Sequence, residues 1–267
     1  MSFKLALIQM DVTGGDKHAN LEHAQELVAV AATSGAVMAV LPEAFDLGWA
    51  HPSSQTEAES IPDGSTCVYL SRLAAEHNIF LCAGITEADG ERTYNAAVII
   101  DRHGKVLCKH RKLNELEIGH DYYDQGDRLR VVESELGTLG LMICADGFAN
   151  GEVISRSLGY MGADIILSPC AWVMDPDHDN QAAPYGDIWR GVYKPVAKEF
   201  AMWIVGVSNV GSVTAGPWQG RNCIGCSLVV DANGEEVLQG PYDQETIIYV
   251  DVALKKRPAR GCGWADA

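Results

Sequence analysis

The chain has 267 residues, of which 47% are hydrophobic and 21% are charged, and its formal net charge is −16. A chain of this length and composition can enclose a sizeable hydrophobic core. Its 36 acidic residues against 20 basic ones repel phosphate backbones and anionic lipids, so we expect neither nucleic acid nor a membrane as a partner. No window approaches the roughly 20 apolar residues of a membrane span, and the first residues lack a signal-peptide cleavage site. These features predict a cytoplasmic protein.

Apolar runs of strand length alternate with helical patterns along the whole chain. The predicted strands are FKLALIQM, VMAVLPE, IFLCAGITE, ADIILSPCAW and MWIVGVSN, with hairpins in TYNAAVIIDRHGKVLCKHRK, LRVVESELGTLGLMIC and CSLVVDANGEEVLQ. The predicted helices are NLEHAQELVAVAATSGA, STCVYLSRLAAEHN with Ser65 as its N-cap, GEVISRSLGYMG and WRGVYKPVAKEFA. Nearly continuous apolar strands are typical of sheets covered by helices. The pattern therefore predicts a single α/β domain over residues 1–267, with an irregular tail from about residue 255.

The chain contains eight cysteines, all in apolar or strand-like segments. In a long chain without a signal peptide they indicate reduced, buried thiols. Cys223 and Cys226 have the spacing of a zinc or redox pair. No second pair completes a zinc site, however, and the segment continues into a strand where a redox motif would open a helix. We therefore expect no bound metal.

Three predicted strands end on chemically reactive side chains: Glu43 in AVLPEAF, Lys112 in KHRKLNE and Cys144 in LMICADG. Ligands of α/β proteins gather where strands end. A thiol there supplies a nucleophile, a carboxylate a general base, and an ammonium a positive charge for an oxyanion. Each residue also has a simpler interpretation, namely core packing for the cysteine, a helix N-terminus for the glutamate and a solvated basic face for the lysine. The pattern alone does not bring the three together.

The segments around these residues resemble the three signature blocks of the nitrilase superfamily, the carbon–nitrogen hydrolases with a Glu-Lys-Cys triad. VLPEAF resembles the block of the catalytic glutamate, KVLCKHRKLN that of the lysine, and GTLGLMICADGF that of the nucleophile. The blocks have the correct order and spacing, and the similarity covers nearly the whole chain. The resemblance implies a four-layer αββα sandwich with two mixed β-sheets. It also implies a homodimer or larger homo-oligomer and catalysis without a metal or organic cofactor.

The resemblance assigns a role to each member of the triad. It implies that Cys144 attacks an amide carbonyl carbon and that Glu43 accepts the thiol proton. Lys112 and the backbone N–H of Ala145 are then expected to hold the oxyanion. From the proximity of the lysine we also expect a lowered thiol pKa at the nucleophile.

Further site residues follow from the same resemblance. Many members carry a second glutamate in the loop after the lysine, and in KLNELEIGHDYYDQGD we select Glu117, with Glu115 as the alternative. Trp172 in SPCAWV is expected to line the substrate pocket, with core packing as the alternative. The loop Asp175–Gln181 is expected to contact a polar substrate. His178 in that loop is not expected to be the base, because the triad glutamate has that role.

The residues after the nucleophile favour one branch of the superfamily. True nitrilases usually show Trp-Glu there, whereas this chain has Ala145-Asp146. We therefore expect hydrolysis of a small aliphatic carboxamide to a carboxylic acid and ammonia through a cysteine thioester. The alternatives are N-carbamoyl amide hydrolysis by the same triad and a catalytically inactive scaffold. An ω-amidase acting on α-keto acid amides would need a cation for the substrate carboxylate, for which Arg190 is the candidate.

Overall fold

The computed structural model describes residues 1–255. Its strands are β1 (Ser2–Gln9), β2 (Met38–Val40), β3 (Phe80–Asp89), β4 (Arg92–Ile100), β5 (Val106–Arg111), β6 (Val131–Ser134), β7 (Gly137–Leu141), β8 (Ile165–Cys170), β9 (Val173–Met174), β10 (Trp203–Ser208), β11 (Val210–Ser212), β12 (Asn222–Ile224), β13 (Leu228–Val230), β14 (Glu236–Gln239) and β15 (Thr246–Ala253). Its α-helices are α1 (Lys17–Thr33), α2 (Ser54–Glu57), α3 (Ser65–His77), α4 (Val153–Tyr160) and α5 (Asp187–Phe200). The predicted hairpins are confirmed as the antiparallel pairs β4–β5, β6–β7 and β13–β14.

The first sheet has the strand order β15-β1-β2-β3-β4-β5, with a parallel centre and antiparallel edges. Successive side chains of a strand point to opposite faces, and β1 uses both faces. Ala6 and Ile8 pack in the core beneath α1 and α3, whereas Leu5 and Leu7 pack in the core shared with the second sheet. Apolar residues on both faces explain why this strand shows no polar alternation.

The second sheet has the order β14-β13-β10-β8-β7-β6, with β7, β8 and β10 parallel. Its inner face meets the first sheet where β10 contacts β1 and β8 contacts β3, and α5 packs against β10 and β13. Helix α4 lies beside α5. The layers therefore follow one another as helix, sheet, sheet and helix, which confirms the α/β class and the sandwich of two mixed sheets.

The predicted N-cap of α3 differs from the structure, and the predicted C-terminal tail lies almost wholly beyond the described residues. Ser65 does not cap α3, because it is the first helical residue and Gly64 occupies the cap position. The Glu59 carboxylate takes over the capping function from outside the helix. It accepts hydrogen bonds from the backbone N–H of Thr66 and from the hydroxyls of Ser65 and Thr66. The predicted tail from about residue 255 lies almost wholly outside the described residues. Within those residues, no helix is long and apolar enough to cross a membrane.

Candidate active site

Glu43 is held in a tight loop just after β2. The loop leans on β3, where the Gly84 N–H donates to the Pro42 carbonyl (3.1 Å) and the Phe45 N–H donates to the Gly84 carbonyl (3.0 Å). A Cβ on Gly84 would lie 2.6 Å from the Glu43 Cα, so only glycine permits this approach. Ala44 has a φ of 45°, so the chain turns sharply immediately after the glutamate. The carboxylate is thereby fixed at the end of the first sheet.

Four buried side chains form one hydrogen-bonded network at this end of the sheet. The Lys112 Nζ, just after β5, donates to Glu43 Oε1 (2.7 Å) and to Glu115 Oε1 (2.8 Å). The Asn95 Nδ2, from β4, donates to the same Glu43 oxygen (2.7 Å) and to Glu115 Oε2 (3.0 Å). All four residues are buried. One cation and one amide thus orient two carboxylates that water does not reach.

The network fixes the charge state of its members. Burial raises the pKa of Glu43, and the Lys112 ammonium opposes that rise. Burial by itself would lower the pKa of Lys112, but the Glu43 and Glu115 carboxylates raise it well above the ordinary value. The lysine therefore remains an ammonium, and the glutamate is a stronger base than an exposed carboxylate.

Cys144 stands at the corresponding end of the second sheet. It follows β7 closely and opens the 3-10 turn Cys144–Phe148 with a φ of 41°, a conformation that β-carbon-bearing residues seldom adopt. The residue is 9% exposed. A strained strand-to-helix turn aims the thiol out of the sheet and towards the carboxylate network, as in other nucleophile-bearing turns.

The expected lowering of the thiol pKa is wrong. Burial, a hydrogen bond with Cys170 and the charge of Glu43 together raise the pKa of Cys144 well above its ordinary value, and Lys112 offsets only part of that rise. The sequence showed the neighbouring cation but not the depth of burial or the second thiol. The resting nucleophile is a protonated thiol, so it needs a base to react.

A buried hydrogen bond between His110 and Asp146 joins the two halves of the site. The His110 Nε2 lies 2.7 Å from Asp146 Oδ2, which also accepts a hydrogen bond from the Ile143 N–H (2.9 Å). Asp146 Oδ1 accepts from the N–H groups of Leu113 (3.0 Å) and Asn114 (2.8 Å). One carboxylate therefore ties the lysine-bearing segment to the nucleophile turn.

The sequence analysis missed this pair and missed Asn95. The residues that form the pair lie two positions before the predicted lysine and two positions after the predicted nucleophile. The positions of these two residues in the sequence do not indicate a contact, because the residues meet only when the two sheets face each other. Asn95 lies within β4 and is followed there only by apolar residues. A polar side chain inside such a strand was the one available indication.

The structure brings Glu115, and not Glu117, to the site. Glu117 is exposed at the start of the turn Glu117–Gly119, whereas Glu115 is buried against the lysine. The three-residue separation from Lys112 to Glu115 lets the side chain fold back on the lysine. The segment between β5 and the turn Glu117–Gly119 forms no helix or strand. The spacing of residues in the sequence therefore could not indicate which glutamate points towards the lysine.

The remaining predicted residues have mixed surroundings. Ala145 follows the nucleophile directly, is buried, and its carbonyl accepts from the Asn114 Nδ2 (2.6 Å). Trp172 is buried and stacks on Trp189 with ring centroids 4.6 Å apart, so it belongs to an aromatic cluster beneath the site. Arg190, the candidate cation for a substrate carboxylate, instead forms ion pairs with surface carboxylates.

The predicted loop and thiol pair lie farther out. The loop Asp175–Gln181 is mostly exposed, and Asp175 is paired with Arg221. Burial raises the pKa of both Cys223 and Cys226, to about 12 and about 11. Among residues 1–255, no group of three or more His, Cys, Asp or Glu side chains is placed to hold a metal ion.

Comparisons with known proteins identify the family of the chain. The sequence profile of the carbon-nitrogen hydrolase family matches residues 4–258. The Omega-amidase NIT2 of Mus musculus is 30% identical over 270 residues, covering 96% of this chain and 90% of that protein. A Nitrilase of Pyrococcus abyssi is 28% identical over 255 residues, covering 94% and 90%.

Solved structures show the same fold. Nit3 of Saccharomyces cerevisiae, described as a member of branch 10 of the nitrilase superfamily, superposes with a TM-score of 0.79 at 25% identity, covering 94% of this chain and 90% of that one. A C145A mutant of the amidase from Nesterenkonia AN1 has the same fold, with a TM-score of 0.79 at 21% identity and the same coverage of both chains.

The αββα sandwich and the family match define a hydrolase of the nitrilase superfamily. The chain belongs to the carbon-nitrogen hydrolase family and is an enzyme that acts on carbon–nitrogen bonds of the amide type.

Proposed function

We propose that this enzyme hydrolyses a small aliphatic carboxamide to a carboxylic acid and ammonia through a thioester on Cys144. The observation that carries the proposal is the buried network of Glu43, Lys112 and Glu115 facing a buried, protonated thiol. A set containing a nucleophile, a base and a fixed cation is complete for acyl transfer. The relatives named Omega-amidase support the amide as the reacting group.

In the first half-reaction Cys144 attacks the carbonyl carbon while its proton passes to Glu43. Because burial raises the pKa of the thiol, attack has to be coupled to this transfer. Burial also raises the pKa of Glu43, which brings the base closer to the thiol in proton affinity. The same proton then goes to the leaving nitrogen, the C–N bond breaks, and ammonia departs.

The tetrahedral oxyanion is stabilised by the Lys112 ammonium and by the backbone N–H of Ala145. The ammonium is already oriented by two carboxylates before substrate arrives, so little reorganisation is needed. Glu115 and Asn95 hold that orientation. In the second half-reaction Glu43 takes a proton from water, and the water oxygen attacks the thioester carbon. The C–S bond then breaks, Glu43 returns the proton to the Cys144 sulfur, and the acid is released.

The surroundings favour a small, uncharged acyl group. Cys144 is 9% exposed and lies above an aromatic cluster that contains Trp172 and Trp189. The cation at the site, Lys112, is committed to two carboxylates and would not bind a substrate carboxylate as well. Beside it, the centroid of the Trp49 ring lies 5.9 Å from the lysine Nζ, so an aromatic side chain also adjoins the cation.

We also propose a homo-oligomer in a reducing, cytoplasmic compartment. Three large apolar side chains on the neighbouring helices α4 and α5, Val153, Tyr160 and Ile188, are each more than half exposed, and a partner subunit over these helices would cover them. The cysteines of the described residues are all free, as expected where thiols stay reduced. Light scattering of the purified protein tests the oligomer, and a monomeric mass contradicts it.

Ammonia release tests the proposed activity. The panel contains short aliphatic amides, α-keto acid amides, N-carbamoyl amino acids and aliphatic nitriles, each assayed with the wild type and with Cys144→Ala. We expect release from short amides that the variant abolishes. Release from N-carbamoyl compounds or nitriles alone replaces the amide in the proposal, and release that persists in the variant overturns the mechanism.

A further inference from the structure

A second thiol lies against the nucleophile. Strands β7 and β8 pair in parallel with Leu141 opposite Leu167, and Cys144 and Cys170 each follow that pair by three residues. Both cysteines belong to the same buried core, and the Cys170 thiol is one of the neighbours that raise the pKa of Cys144. Adjacent strands lie about 4.8 Å apart, and disulfides require a Cα separation of about 4.4–6.8 Å. The fold therefore places the two cysteines at or just beyond the ends of neighbouring strands, where the spacing of the strands permits a disulfide.

We propose that Cys144 and Cys170 form a reversible intramolecular disulfide when a peroxide oxidises the nucleophile. The inference adds a modification site to the proposed hydrolase and rests on Cys144 being its nucleophile. The bond would occupy the sulfur that attacks the substrate, so the oxidised enzyme is inactive. Reduction by a thiol regenerates both cysteines and restores activity.

The chemistry balances with hydrogen peroxide as the oxidant. The deprotonated sulfur of Cys144 attacks one peroxide oxygen, the O–O bond breaks, and the leaving hydroxide takes up the proton that the thiol gave up, so the products are a sulfenic acid and water. The sulfur of Cys170 then attacks the sulfenic sulfur, and the hydroxyl leaves with the Cys170 proton as a second water. Two thiols and one peroxide thus give one disulfide and two waters.

The contacts of Cys170 suit the resolving role. Its thiol donates to the Ser168 carbonyl (3.2 Å) and lies 3.9 Å from the Tyr193 hydroxyl, so it stays in place beside the nucleophile. Its own carbonyl accepts from the Glu43 N–H (3.2 Å), which anchors the strand end to the catalytic loop. A resolving thiol held this close captures the sulfenic acid before further oxidation to the irreversible sulfinic acid.

Burial sets the rate of the first step. Because burial raises the pKa of the nucleophile, its thiolate is scarce, and oxidation should be slower than at an exposed, low-pKa thiol. The small exposed fraction of Cys144 also admits peroxide more readily than a bulky oxidant. We therefore expect the disulfide to form over minutes to hours at millimolar peroxide.

The test compares wild type with Cys170→Ser and with Cys67→Ser. Serine keeps a hydroxyl donor for the Ser168 carbonyl but cannot form the bond, and Cys170→Ala serves as a second variant if serine disturbs folding, as judged by thermal melting. Cys67 is an equally buried cysteine that packs in the other core, under the helices of the first sheet. Each protein is treated with hydrogen peroxide, blocked with iodoacetamide, and divided with and without dithiothreitol.

We expect wild type and Cys67→Ser to recover most of their own starting activity with dithiothreitol, and Cys170→Ser to recover at least fivefold less. Mass spectrometry of the unreduced digest should show a linked Cys144–Cys170 peptide in the first two proteins, and sulfinic acid at Cys144 in Cys170→Ser. Equal recovery in all three proteins, or no linked peptide, overturns the proposal. The linked peptide is detected without an activity assay, so a failure of the proposed amidase function is distinguishable from a failure of this one.

Discussion

The two sheets contribute unlike halves to one site. The first sheet supplies Glu43, Asn95, Lys112 and Glu115, a charged set joined by hydrogen bonds. The second supplies the thiol of Cys144 together with a second thiol and an aromatic cluster. The charged half keeps its ions in fixed positions, whereas the sulfur half keeps its nucleophile neutral. Neither half is reactive alone, because until the sheets pack together the carboxylate has no thiol to deprotonate and the thiol has no base beside it.

The difference also explains why the site tolerates so many buried ions. Two carboxylates and one ammonium removed from water cost several kcal/mol unless their hydrogen bonds are complete. Here Glu43 accepts from two donors, Glu115 from three, and the ammonium has two acceptors. The sulfur half avoids that cost by remaining protonated, and it receives its negative charge only during the attack.

Replacing Lys112 by Met should break the charged half completely. Without the ammonium the oxyanion loses its cation, and we expect kcat/KM to fall about 10³-fold. Two carboxylates would then face each other without a counterion, which should lower the free energy of unfolding by about 3–5 kcal/mol. Because the lysine opposes the rise in the Glu43 pKa, that pKa should rise further in the variant, so the loss of stability should be larger at pH 8 than at pH 5.

A matched control comes from a lysine at the surface. Lys194, on α5, pairs with the exposed Glu235, and an exposed pair contributes about 0–1 kcal/mol. Lys194→Met should therefore leave kcat/KM nearly unchanged, and urea unfolding should show a small loss. Similar activity losses in the two variants would contradict the role given to Lys112.

Replacing Asp146 by Asn should loosen the joint between the halves. The amide cannot accept all of the hydrogen bonds that the carboxylate accepts from His110 and from three backbone N–H groups. We expect kcat to fall about 10²-fold with little change in KM, since misplacement of catalytic groups by about 1 Å has that effect. Asp127→Asn, which changes an exposed ion pair, is the control.

A double-mutant cycle separates positioning from general destabilisation. His110→Gln and Asp146→Asn remove the same contact, so the double variant should lose less kcat than the product of the single effects. Independent structural damage at the two positions predicts a simple product instead. That result would contradict a joint made by this pair.

Glu115→Gln should have a smaller effect, and Glu117→Gln almost none. Glutamine still accepts a hydrogen bond from Lys112, but it loses the charge, and that difference of roughly 1–1.5 kcal/mol corresponds to a loss of about tenfold in kcat/KM. Glu117 is exposed, so its variant should remain within about twofold of wild type. The reverse order in steady-state kinetics would restore Glu117 as the second carboxylate.

The sequence predicted more of the charged half than of its surroundings. Glu43, Lys112 and Cys144 stand in signature blocks whose order implied both the fold and the triad, and the apolar strands implied the two sheets. Asn95, His110 and Cys170 were missed because their importance depends on contacts between strands that are distant in sequence. The raised thiol pKa was missed for the same reason, since burial is a property of packing and not of the adjacent residues.

The smallest effect on activity is expected at Asp46, a buried carboxylate three residues after Glu43. Asp46 accepts hydrogen bonds from the backbone, whereas Glu43 accepts one from the Lys112 ammonium. Both of its oxygens accept from the Thr86 N–H (3.1 Å each), and burial raises its pKa from 3.8 to about 6. The folded protein therefore binds a proton more tightly than the unfolded chain. Its contribution to stability is complete below about pH 4 and is lost as the pH rises through about 6, a change of about 3 kcal/mol.

Asp46→Asn removes that titration. An amide oxygen still accepts from the Thr86 N–H, and no charge is buried, so the variant should gain stability relative to wild type between pH 4 and pH 7. Urea unfolding at pH 4.5, 6 and 7.5 measures the difference, with the exposed Asp63→Asn as a control in which the same chemical change occurs at the surface. A difference between Asp46→Asn and wild type that stays constant across the three pH values would show that this carboxylate is ionised throughout. In that case a buried carboxylate would be ionised even where its hydrogen bonds come from Thr86 and not from an ammonium, as at Asp46. The Lys112 ammonium would then matter less for the charge of Glu43 than the proposed contrast between the two halves of the site requires.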